Sequence, residues 1–226
     1  MSRDFHSGRR QLTAALLLLT FASVLAAFPI SAPAQSRSDD LAIAVANDRA
    51  ADVRALLARG ADPNAKDANG EPLLIVAARG GSAATVDVLL AGRADVNIRN
   101  RFGDTALMIA ALNGHLEIAK KLRARGAEVN NAGWTALIYA ATGGHDDVVR
   151  YLLAEGADIN AGSPNGTTAL MMAVREARGP TVELLIARGA DVNRRNQNNA
   201  SALDWAKRNN DTSMAERLAR AGAKNP

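Results

Sequence analysis

His115 and His145 each follow a glycine and stand 30 residues apart in a chain with only three histidines. Such a pair can contribute to a zinc site, or let one imidazole act as a base toward a serine. Zinc would need further thiolate, imidazole or carboxylate ligands at matching positions. The chain has no cysteine, and no carboxylate recurs around these histidines with ligand spacing. Serine chemistry calls for a nucleophile turn such as G-x-S-x-G, which is absent. Asp62, Asp95, Asp158 and Asp191 look like a ligand series. Each, however, stands in an A-D-x-N turn, where the carboxylate bonds its own backbone. Gly80-Gly81 and Gly143-Gly144 lack the strand–loop–helix frame of a phosphate cradle. No enzyme activity, cofactor or metal is therefore expected; an enzyme or metal protein using His115/His145 is the weakest reading.

The elements that carry these residues repeat. Thr105–Asn130 reads TALMIAALNGHLEIAKKLRARGAEVN, Thr135–Asn160 reads TALIYAATGGHDDVVRYLLAEGADIN, and Thr168–Asn193 reads TALMMAVREARGPTVELLIARGADVN. The alanine before the turn acid recurs at Ala61, Ala94, Ala127, Ala157, Ala190 and Ala223, in steps of 33, 33, 30, 33 and 33 residues. A fixed period of this length means a stacked array whose units bury their apolar faces against neighbours. Many small Ala, Leu and Val layers also suit a composition that is 48% hydrophobic but only 4% aromatic.

These residues resemble the ankyrin repeat, whose pattern is G-x-T-P-L-H-x-A-A-x-x-G-H…V-x-x-L-L-x-x-G-A-D-V-N. The resemblance implies an all-α solenoid of about six helix-turn-helix units joined by β-turn or hairpin fingers. Residues 35–226 form the repeat domain, with units near 38–60, 70–93, 103–126, 133–156, 166–189 and 199–222. Thr105, Thr135 and Thr168 are predicted to cap first helices, and His115 and His145 to satisfy backbone groups where second helices start. The histidine of the family's first-helix pattern is replaced by Ile75, Met108, Ile138, Met171 and Asp204. Three local departures are expected. The first helix starts near Leu41 behind a Ser38-Asp39-Asp40 cap. Gly92 turns one residue early, because Arg93 stands where other units have glycine. The turn at Ala177-Arg178-Gly179-Pro180 differs from the rest.

The resemblance further implies binding of another protein through the concave side and finger tips. Position by position this marks Arg99, Arg101, Phe102 and Asp104 on one finger, then Trp134, then Arg195. On first-helix ends it marks Leu112 and Arg175, with Lys66 on a peripheral tip. Phe102, Leu112 and Trp134 are the large apolar ones, in adjacent units. The short 30-residue step removes three residues around Asn131-Ala132-Gly133 and is expected to leave a notch edged by Trp134. The alternative protein-binding role is an immunity or inhibitor protein against a toxin or enzyme.

Residues 1–34 read as a secretory signal peptide. A basic start is followed by the apolar run Leu12–Phe28 and by Ala32-x-Ala34, with cleavage after Ala34. Arg9-Arg10 adds a twin-arginine export pattern beside the general Sec route, and either route leads to the periplasm. Membrane contact is expected only through this segment if it stays uncleaved. Of the net charge of +4, Arg3, Arg9 and Arg10 against Asp4 supply two, leaving +2 for the rest. The remaining bases are scattered among acids, so no nucleic-acid partner is expected. A monomer is the expected state.

Overall fold

The computed structural model describes residues 34–224, with side chains from Arg37 onward. The expected signal peptide lies outside the described residues except at Ala34, which opens the first helix. Among the described residues there are twelve helices in six pairs. Helix α1 (Ala34–Ala46) pairs with α2 (Ala50–Ala58), α3 (Leu73–Arg79) with α4 (Ala83–Ala91), and α5 (Ala106–Leu112) with α6 (Leu116–Ala124). Then α7 (Ala136–Gly143) pairs with α8 (Asp146–Ala154), α9 (Ala169–Arg175) with α10 (Gly179–Ala187), and α11 (Ala202–Arg208) with α12 (Thr212–Arg220). First helices pack on the first helices of adjacent units, and second helices α2 to α10 on one another. This is the expected helix-turn-helix solenoid. The fingers are turns with two isolated antiparallel bridges, Lys66 with Pro72 and Gly162 with Thr168, rather than hairpin ladders.

Apolar spacing builds the core. Leu73, Leu107, Leu137, Leu170 and Leu203 are buried on the first helices, and Leu89, Leu122, Leu152, Leu185 and Leu218 on the second. Each such side chain contributes about 1.5–3 kcal/mol on burial. Ala110, Ala111, Ala140, Ala141 and Ala173 are fully buried, so adjacent first helices approach closely. The predicted caps are present: Thr105, Thr135 and Thr168 accept from the N–H groups of Met108, Ile138 and Met171. Ser201 does the same for Asp204, whose carboxylate accepts the Ser201 N–H in return. The turn acids bond their own backbone as expected, Asp62 to Asn64 N–H and Asp158 to Asn160 N–H among them.

The asparagine two residues after each of these turn positions makes the main polar link between units. Oδ1 of Asn64, Asn97, Asn130, Asn160 and Asn193 accepts the N–H of Asp95, Glu128, Asp158, Asp191 and Lys224, all at 2.7–2.9 Å. At three of the five junctions Nδ2 also donates to the carbonyl of Gly126, Gly156 or Gly222. This ladder crosses the junction with the shortened finger without a break. Deleting three residues there removes the finger tip and leaves the rung in place.

Three expectations are corrected. Helix α1 does not start near Leu41: it begins at Ala34 and runs through Ser38-Asp39-Asp40. No glycine or proline interrupts this stretch, and Arg37 donates to the Arg59 carbonyl at the end of α2, tying the extra turn down. The turn after α4 does not come early at Gly92. Arg93 itself takes the left-handed conformation (φ 69°), while Gly92 stays at φ −75°. Its position is fixed because Ala94 N–H bonds back to the Leu89 carbonyl and Ala94 is buried. The third correction is the turn of unit five, which does not differ. Ala177 is left-handed (φ 54°) where Gly81, Gly114 and Gly144 are, and Arg178 N–H bonds the Ala173 carbonyl as His145 N–H bonds that of Ala140. The hydrogen-bond register outweighs the cost of about 1–2 kcal/mol for a left-handed L-residue.

Arg93→Gly relieves that strain and is expected to raise unfolding stability by about 1 kcal/mol in urea titration. An unchanged or lower midpoint would show that Arg93 is not strained.

Candidate functional site

The middle of the array gathers the aromatic candidates. In the finger before α5, Asn100 N–H bonds the Asp104 carbonyl, and Asn100 Oδ1 accepts the N–H of Phe102 and of Asp104. The closed turn holds Phe102 at the tip, where it is 70% exposed. The Arg101 guanidinium lies over its ring, 4.7 Å from the centroid. Asp104 is buried instead: Oδ1 accepts the Tyr139 hydroxyl at 2.6 Å, and Oδ2 accepts Asn100 Nδ2. Asn100 Nδ2 also reaches Glu71, which pairs with Arg79. Burial and the bond to Asp104 push the Tyr139 phenol well up from its ordinary value.

Trp134 packs its ring 5.8 Å from that of Tyr139 and remains 36% exposed. Beneath it, Asn131 Nδ2 donates to Glu128 Oε2, and Gly133 turns left-handed (φ 90°). A Cβ at Gly133 would lie 3.5 Å from Pro164, so the next finger leans against the shortened tip on that side. Leu112 is half-buried at the end of α5. Phe102, Arg101, Leu112 and Trp134 thus belong to two adjacent units linked by the Tyr139–Asp104 bond.

The other arginines do not join this group. Arg99 and Arg195 hold equivalent fingers shut, donating to the carbonyls of Gly103 and Asn199. Arg195 also pairs with Asp204. Partial burial raises the Asp204 pKa, and the Ser201 N–H and O–H with Arg195 more than offset this, leaving it below the ordinary carboxylate value. That stabilisation is present above the unfolded carboxylate pKa and is lost as pH falls through the folded one. Arg175 lies in unit five, over the Trp205 ring at 5.8 Å and paired with Glu176. Tyr139 and Trp205 were not among the expected site residues. Their signal was position: Val76, Ile109, Tyr139, Met172 and Trp205 all stand four residues after the first-helix N-cap.

The histidines bond the previous unit rather than the start of their own helix, which corrects their expected role. His115 and His145 occupy N-cap positions without a side-chain cap bond. Instead His145 Nε2–H donates to the Leu112 carbonyl at 2.9 Å, and His115 Nε2–H to the Arg79 carbonyl at 3.4 Å. Arg178 and Asn209 serve the matching carbonyls of Thr142 and Arg175. Four side chains thus satisfy the open carbonyl ends of α3, α5, α7 and α9. A Cβ on Gly114 or Gly143 would lie 2.5 or 2.4 Å from the His145 ring, so these glycines make room for it. Among the described residues, no three of His, Cys, Asp and Glu group into a metal site.

His145→Ala is expected to cost about 1–3 kcal/mol of stability through the lost bond to Leu112, and His115→Ala less. Zinc bound stoichiometrically by the purified chain, and lost in the double variant, would contradict this structural role.

A family model described as ankyrin repeats (3 copies) matches residues 41–132, 74–163, 129–196 and 161–225. No match is found among curated proteins. Ankyrin repeats are generally protein–protein interaction modules and typically non-enzymatic. With its six stacked units and these matches, the chain belongs to the ankyrin-repeat family.

Proposed function

We propose that the chain is a non-enzymatic module that binds one partner protein through the first-helix face and finger tips of units three and four. The observation that carries this is Phe102, a phenyl ring 70% exposed on a finger that Asn100 holds shut. A solvated turn gains nothing from such a ring. Aromatic and arginine side chains supply most of the energy in protein interfaces, and here Arg101 lies on Phe102 with Trp134 on the next unit. The rigid finger leaves little conformational entropy to lose on binding.

The chain acts as an exported monomer in the periplasm, where its partner is an envelope enzyme that it stabilises or escorts. The support for export is the order of Arg9-Arg10, the apolar run 12–28 and Ala32-x-Ala34. Binding to nucleic acid is disfavoured by the scattering of bases among acids.

The partner is recovered by pull-down from a periplasmic extract, and calorimetry then gives its affinity. Phe102→Ala and Trp134→Ala are each expected to weaken binding by about 2 kcal/mol, and Lys66→Ala to leave it nearly unchanged. A lowered melting temperature with unaltered affinity in the folded fraction would reduce Trp134 to a packing element for the short finger.

A further inference from the structure

A groove of about 580 Å³ opens on the row of second helices, between α2 and α4, with the end of α6 at its rim. Its floor is apolar, formed by Leu57 and Ala58 of α2 and by Val88 and Ala91 of α4. The cause of the opening is Gly92. The equivalent positions of the other units hold Arg59, Arg125, Glu155, Arg188 and Ala221, long charged chains in four cases. Gly92 is not required by the backbone, since the left-handed residue here is Arg93. A Cβ at Gly92 would lie 2.8 Å from Leu57 Cδ1, so any side chain there would displace Leu57 and cover the floor.

The rim has one sign of charge available. Arg54 is exposed on α2 and has no ion pair among the described residues. Arg125 is held over the edge by its bond to the Leu90 carbonyl, at 3.1 Å. Asp87, the acid that lines the groove, is already engaged by Lys121. An occupant without negative charge would partly desolvate two arginines without compensation, and a basic one would be repelled.

We infer that this groove is a second docking surface, taking an acidic amphipathic protein segment that seats a large apolar side chain on Leu57, Val88 and Gly92. Carboxylates on either side of that side chain pair with Arg54 and Arg125. The surface is separate in residues from Phe102 and Trp134, so it stands or falls independently of binding on the first-helix face.

The test uses the full chain and a fluorescein-labelled peptide in which glutamate alternates with leucine and phenylalanine, followed by anisotropy. Saturable binding is expected, and its loss when lysine replaces glutamate in the peptide. Gly92→Glu, which places the residue of unit four in the gap, and Arg54→Glu are each expected to weaken binding about tenfold or more. Phe102→Ala is expected to leave it unchanged. Arg54 is exposed on its helix, so the Arg54→Glu result decides even if the Gly92 variant misfolds. Absence of saturable binding, or equal affinity in Arg54→Glu, overturns the proposal. Loss of binding in Phe102→Ala instead would place the peptide on the first-helix face and overturn it as well. Binding of oleate in place of the peptide would make the occupant a lipid carboxylate and overturn the protein assignment.

Discussion

No single unit of this chain can cover its own apolar face. A pair of helices of seven to nine residues, such as α5 and α6, buries Leu107 and Leu122 fully only when neighbours close over both sides. Isolated helices of that length are marginal in water. Stability therefore sits at the junctions, and everything else in the structure must keep the junctions in register. Alanine at the first-helix contacts sets how closely units approach. The asparagine ladder sets how they align along the stack.

The two terms differ in size and in role. Each fully buried leucine is worth about 1.5–3 kcal/mol, whereas a single hydrogen bond nets about 0.5–1.5 kcal/mol. Apolar burial thus supplies most of the free energy, and the directional bonds supply uniqueness. The rungs from Asn64 to Asn193, together with His115, His145, Arg178 and Asn209, bind turn amides and helix-end carbonyls across the junctions and so fix the alignment of each unit on the next. Because every rung lies outside the finger tips, a finger can be shortened or decorated without breaking the ladder, although the shortened one leaves Asn131 Oδ1 buried without a hydrogen-bond donor. That separation is what allows Phe102 and Arg101 to be presented on an otherwise conventional frame.

The period and the caps at Thr105, Thr135 and Thr168 were legible in the residues because they depend on local chemistry. Thr105 or Thr135 accepting the N–H three residues on needs no partner unit. The misread backbone positions depend on hydrogen bonds that close back over five or more residues within a unit, which residue type at one position does not reveal. Arg93 is left-handed because Ala94 must stay buried, and Ala177 because Arg178 must bond the Ala173 carbonyl. Helix α1 is longer than expected because Arg37 reaches the end of α2. Of the candidate site, the exposure of Phe102 followed from position in the repeat, whereas the packing of Trp134 on Tyr139 emerged only in the structure. The use of Arg99 and Arg195 to close their own fingers did not, because a free and a turn-bound arginine look alike in a string of letters.

If the junctions carry the stability, the units should not be equally protected. Central helices α5, α7 and α9 have neighbours on both sides, whereas α1 and α11 have one among the described units. Native-state hydrogen exchange read helix by helix tests this most directly. The account predicts protection that is highest in α5, α7 and α9 and falls toward both ends. It also predicts that Asn130→Ala lowers protection in the units on both sides of its rung. Uniform protection across all twelve helices, unaltered by loss of that rung, would contradict it.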